Sequence, residues 1–145
     1  PRELDVWLHS ALRVAQAMNP YLAPDDLNAI WPALMVSRCY GTLTGLQRRW
    51  LSLFRATAAR DATRMGDIGE ELLGSQPELN NEAREYLLLA AMTGYVTAGP
   101  PGRAVALCNA QKQQIRHPDA PPFRLLRCHA APEHCADEFR AYAER

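Results

Sequence analysis

The stretch NNEAREYLLLAAMTGYVTAGPPG, residues 80–102, decides the fold class. Asn80 or Asn81 supplies a side-chain oxygen for the free amides of a first helical turn. Tyr86, Leu89, Ala90, Tyr95 and Val96 then recur at helical steps. Gly99-Pro100-Pro101-Gly102 ends the run in a tight corner, since proline cannot continue a helix. The apolar segment from Tyr86 to Met92 is too short to span a bilayer. This is the strongest helical pattern in the chain, and the rest is read outward from it.

Downstream, Ala104, Val105, Leu107 and Cys108 predict a helix over about 102–115. His117 to Pro122 reads as a second corner. Two short helices are expected after it, over about 123–130 and 132–143, broken at Pro132. Upstream, Asp61 caps a helix that turns Met65, Ile68, Leu72 and Leu73 inward, and Gly74-Ser75-Gln76-Pro77 stops it. Thr44-Gly45-Leu46-Gln47 matches a capping box. The helix it opens carries Leu46, Trp50, Leu53, Phe54 and Ala58 on one side. Cys39 to Gly45 reads as a loop. Nearer the start, Leu4, Trp7, Leu8, Ala11, Leu12, Ala15 and Met18 predict a helix over about 2–18, ended at Asn19-Pro20. Another opens at Pro24-Asp25-Asp26, with a kink or break near Trp31 because Pro32 interrupts it. No six-residue stretch alternates as a strand would, so the fold class is all-α.

The 145 residues form a single domain, which at this size buries enough surface to fold without metal or disulfide. The formal net charge is zero. A nucleic-acid module carries a basic surplus, so nucleic acid is not an expected partner. Of the 16 basic residues only Lys112 is lysine. That arginine bias and the abundance of alanine point to a GC-rich, bacterial coding sequence, with the compartment, cytoplasm or periplasm, left open. A chain beginning at Pro1 is expected to be part of a larger protein. No membrane insertion is expected within this segment.

Enzyme motifs are missing: no Gly-x-Ser-x-Gly, no phosphate loop and no His-Glu-x-x-His. The expectation is a non-catalytic chain without cofactor. Gly66-Asp67-Ile68-Gly69 lies inside an amphipathic helix and reads as close helix packing. Glu70, Glu71, Glu82 and Glu85 read as solvated carboxylates on exposed helix faces. Trp7, Trp31 and Trp50 stand one per helix and read as locks between neighbouring helices.

Cys128-His129-Ala130-Ala131-Pro132-Glu133-His134-Cys135 packs four potential zinc ligands into eight residues. Adjacent helical residues diverge by about 100°, so Cys128 and His129 cannot easily share one ion, nor can His134 and Cys135. No metal site is expected. A Cys128–Cys135 disulfide across the Pro132 corner is the natural pairing in an oxidising compartment, and two packed thiols in a reducing one. Cys39 and Cys108 read as core or loop thiols.

Arg48, Arg49, Arg55, Arg60 and Arg64 form the only concentration of charge. Arg48, Ser52 and Arg55 follow one helical flank. The cluster is a solvated face, a set of ion pairs with Asp61, Asp67 and Glu70, or a contact surface for an acidic partner peptide. Arg48, Arg49 and Arg55 are the candidate partner-binding residues.

The helices also repeat. Trp50, Leu53, Phe54 and Thr57 align with Leu88, Ala91, Met92 and Tyr95 at an offset of 38, and Gly66 and Gly69 with Ala104 and Leu107. Trp7, Leu8, Ala11 and Ala15 lie 43 before Trp50, Leu51, Phe54 and Ala58. Such periods mark an α-solenoid. Over about residues 45–116 the spacing resembles tetratricopeptide repeats. Leu88, Ala91, Met92 and Tyr95, then Ala104 and Cys108, follow that frame, and Trp50, Leu53 and Phe54 follow its start. Thr57 stands where the repeat has an aromatic, and Gly66 and Glu70 depart from its second helix. The closing proline is matched only by Pro77 and Pro118. The resemblance implies a right-handed stack of about four antiparallel helical hairpins that binds a protein or peptide in a helical groove. The other expectation is a structural or regulatory appendage of an enzyme whose active site lies elsewhere in a parent chain.

Overall fold

The computed structural model describes residues 38–76 and 78–136, with Val6, Trp7, Ser10, Ala11 and Arg140 besides. Among these residues the regular structure is entirely helical. The elements are α1 (Arg38–Gly41), α2 (Gly45–Ala58), α3 (Ala62–Ser75), α4 (Asn81–Ala98), α5 (Pro101–Gln111) and α6 (Pro121–Ala130), followed by a 3-10 turn at Pro132–His134. Val6, Trp7, Ser10 and Ala11 are helical, and Trp7 and Ala11 pack against the core. The remainder of the helix expected over 2–18, the helix expected after Pro24, the break near Trp31 and the proline stop at Pro77 lie outside the described residues.

Each boundary from α2 to α4 follows from a local cap. The Thr44 hydroxyl accepts from the Gln47 amide at 3.1 Å, and the Gln47 side chain accepts from the Thr44 amide at 3.0 Å, closing the capping box. Asp61 caps α3 through the Arg64 amide, and Asn80 caps α4 through the Ala83 amide. At the end of α2, Asp61 N–H donates to Ala56 O and Arg60 N–H to Thr57 O. This pair of bonds places Arg60 in the left-handed region, with φ of 56°.

Two boundaries differ from the sequence reading. Residues 38–41 form a helical turn where a loop is expected from Cys39. Helix α5 stops at Gln111 rather than near 115. The reason is tertiary: Asn81 at the head of α4 accepts from the Arg116 amide at 2.7 Å, and Ile115 turns inward to bury its side chain. The chain therefore bends where periodicity alone would continue the helix.

Each of the five longer helices packs on the next, and α4 packs on α6 as well. Trp50, Leu53, Leu72, Leu87, Leu88, Met92 and Cys108 are the largest fully buried side chains. Trp50, Phe54 and Tyr86 form an aromatic cluster between α2 and α4, with Phe54 and Tyr86 edge to face at 5.6 Å. Leu89 and Leu107, expected in the core, are only partly buried, whereas Leu87 and Leu88 are enclosed completely. Helix α4 is the middle helix, covered from several sides, so no single apolar stripe describes it.

The closest packing is between α3 and α4. A Cβ on Gly94 would come within 2.4 Å of Ala62 O and Gly66 N. Only a residue without a side chain admits that approach. Gly69 is the next tightest, where a Cβ would come within 2.9 Å of Ala91 Cβ and 3.1 Å of the Leu87 carbonyl. The Gly66-x-x-Gly69 spacing therefore serves helix contact, and Gly94 supplies the opposing half.

Candidate interaction surface

The charges are sorted along the chain although they cancel overall. Residues 38–60 hold five arginines and no acid, whereas 61–98 hold seven acids and two arginines. Packing α2 beside α3 then sets the two signs against one another. Arg49 makes a forked bond to Glu71, with Nε 3.1 and 3.0 Å from the two carboxylate oxygens and Nη2 also on Oε2. Hydrogen bonding to Glu71 raises the Arg49 guanidinium above its ordinary pKa. Both partners remain about half exposed, so water competes for the pair.

Arg48 turns the other way. Its guanidinium donates to Gly41 O at 3.1 Å and lies 5.1 Å from the Tyr40 ring centroid, tying α2 to α1. The Ser52 hydroxyl donates back to Arg48 O at 3.0 Å. Arg55 continues this flank and is partly exposed; Arg60 and Arg64 are exposed at the α2–α3 corner. Arg64 reaches Asp61 at 3.6 Å. Of the candidate partner-binding residues, Arg48 holds to Gly41 and Tyr40 and Arg49 to Glu71, while the expected pairing with Asp61 is made by Arg64.

Glu70 and Glu71 do not act as a solvated doublet. Glu71 faces α2, and Glu70 crosses α4 to reach α5. The Tyr95 hydroxyl donates to Glu70, and Arg103 donates to the same carboxylate from Nε at 2.8 Å and Nη2 at 2.6 Å. Arg103 lies over the Tyr95 ring at 5.6 Å. The Arg103 hydrogen bonds are the main cause of a Glu70 pKa below the carboxylate range. Burial, then the neighbouring Glu70, pushes the Tyr95 phenol up. Three helices are therefore joined by one polar cluster. The sequence reading missed it because Glu70 and Arg103 are 33 residues apart.

A second cluster closes the far end. Arg127 on α6 contacts Cys108 Sγ at 3.6 Å and donates to Pro118 O at 3.1 Å and Asp119 Oδ1 at 2.9 Å. One guanidinium thereby ties Pro118 and Asp119 of the corner to α5 and α6. Its bond to Asp119 lowers that carboxyl's pKa. Beside it, Cys128 in the last turn of α6 and Cys135 after the 3-10 turn form a disulfide, with Cα atoms 4.8 Å apart. The corner it closes runs from α6 through the 3-10 turn to Cys135 and Ala136, which are helical again, as is Arg140; the rest of the helix expected over 132–143 lies outside the described residues. Cys108 is a buried free thiol, and the side chain of Cys39 lies outside the described residues. Among the described residues no three His, Cys, Asp or Glu side chains converge as metal ligands. Among the described residues, too, no helix is long and apolar enough to cross a membrane.

No family model matches this chain, and no curated protein or solved structure matches it either.

Proposed function

We propose that this chain is a non-catalytic protein-interaction or assembly module of a larger bacterial protein. Its helices continue as a tetratricopeptide-like, right-handed stack of about four hairpins, and it binds an acidic peptide or partner surface through the arginine flank of α2. The observation that carries this reading is the five-arginine, acid-free segment 38–60 of a neutral molecule, with Arg48, Arg49 and Arg55 on α2. Sequential helix packing supports it, because stacked helices present long side surfaces to a partner. The Arg49–Glu71 pair suits exchange: both groups are half exposed, so a partner carboxylate can replace Glu71 at small cost.

The test is a binding titration of a labelled acidic peptide, with a basic peptide of equal length as control. An Arg48→Ala/Arg49→Ala/Arg55→Ala variant should lose the acidic-peptide signal while its circular dichroism stays that of the folded parent. Binding that survives in the triple variant, or that does not weaken with added salt, overturns the proposal.

A further inference from the structure

Charge is sorted a second time, between α5 and α6. From Tyr86 to Pro132 the only acid is Asp119, against Arg103, Lys112, Arg116, Arg124 and Arg127. Arg103 is taken up by Glu70. The other four stand in the corner after α5 and on α6. Three of them converge on Asp119. Arg127 bonds it at 2.9 Å, and the charges of Lys112 and Arg124 act on the same carboxylate. The meeting is at the surface, since the Asp119 side chain is 67% exposed. Lys112 and Arg116 are exposed and Arg124 is partly so. One carboxylate cannot neutralise four cations, so this corner keeps a positive surplus although the whole chain is formally neutral. An apolar side chain stands beside the cations. Leu125 is 41% exposed, and Pro122, Leu125 and His129 form an exposed row at three- and four-residue steps along α6. The one phenyl ring of α6, Phe123, is 2% exposed and offers no stacking platform to a nucleic-acid base.

We propose that this corner is a docking surface for an anionic lipid bilayer, on which Lys112, Arg116 and Arg124 meet the headgroup phosphates and Leu125 enters the headgroup–acyl boundary. The proposal stands independently of the interaction-module reading. An anionic leaflet carries a negative surface potential, and each cation brought within a Debye length of it is attracted. Arg127 adds less to this attraction, because Asp119 holds its guanidinium. The leucine is what separates a lipid surface from a polyanion in water. At the bilayer boundary its side chain leaves water, which is favourable, whereas a phosphate or carboxylate chain offers it nothing apolar. A few cations and one leucine give reversible binding that lies on the surface and does not span it.

The experiment is a partition titration of the whole chain with two kinds of vesicle. One is phosphatidylcholine alone, and the other is phosphatidylcholine mixed with phosphatidylglycerol in equal parts. The chain should bind the mixed vesicles and not the neutral ones, and added salt should weaken the binding. Lys112→Ala/Arg116→Ala should weaken it by about tenfold or more, with circular dichroism showing the fold kept. Lys112→Arg/Arg116→Lys keeps both charges and should bind as the parent does. Leu125→Ser should weaken binding by a smaller factor that does not change with salt. Equal binding to the neutral vesicles would overturn the proposal, and so would full binding by the double alanine variant. If the parent binds neither kind of vesicle, the proposal fails. Loss of acidic-peptide or single-stranded DNA binding in the double alanine variant would then assign the corner to that polyanion instead.

Discussion

At the α3–α4 interface, Gly69, Ala91 and Gly94 bring two helical backbones into direct contact with no covalent link between them. At the corner after α6, the Cys128–Cys135 disulfide and the Arg127 guanidinium supply specific bonds. The first region is held by shape, since many close contacts are gained once the helices meet. The second is held by a few specific bonds that can be broken one at a time. Damage to the first should therefore be global, and damage to the second local.

The largest effect should come from the shape-held side. Trp50 is fully buried beside Phe54 and Tyr86, so Trp50→Ala should cost about 3–5 kcal/mol in denaturant unfolding. A Trp50→Ala protein with an unchanged midpoint would mean that the α2–α4 contact adds nothing to stability. Gly94→Ala places a methyl against the backbone of α3 and should cost about 2–3 kcal/mol, the upper range for overpacking. If the variant is as stable as the parent, the two helices do not meet as closely as the 2.4 Å approach requires.

On the bond-held side, Cys128→Ser should cost at most about 2.5 kcal/mol, the loop-closure entropy of so short a ring. That difference should vanish when both proteins are melted in reductant. A difference that persists in reductant would assign the effect to packing of the sulfur.

The Glu70 cluster lies between these extremes and reports through pH. Its folded pKa is lowered, so its contribution is present above the ordinary value of 4.5 and is lost as pH falls through the lowered folded value. Glu70→Gln should melt below the parent at neutral pH, and the gap should close on acidification below 4.5. A gap that is constant with pH would show that the carboxylate charge does not matter there. The smallest effect concerns Arg60. Arg60→Gly relieves a left-handed backbone and should stabilise by about 1 kcal/mol. A loss of stability instead would mean that the arginine side chain contributes more than its backbone conformation costs.

The sequence by itself determined where α2, α3 and α4 begin and where Gly99-Pro100 turns the chain. Thr44, Asp61 and Asn80 act on amides three residues away, so these signals are complete within a short window. The helical class and the close-packing role of Gly66 and Gly69 were legible for the same reason. Tertiary structure alone decided the early end of α5, which depends on Asn81 reaching Arg116 across 35 residues. It also decided which leucines of α4 are enclosed, because a helix covered from several sides shows no dominant stripe. The division of labour between Glu70 and Glu71 was hidden likewise. Neighbouring carboxylates look alike in sequence, and only the placement of α2 on one side and α5 on the other gives each its own arginine.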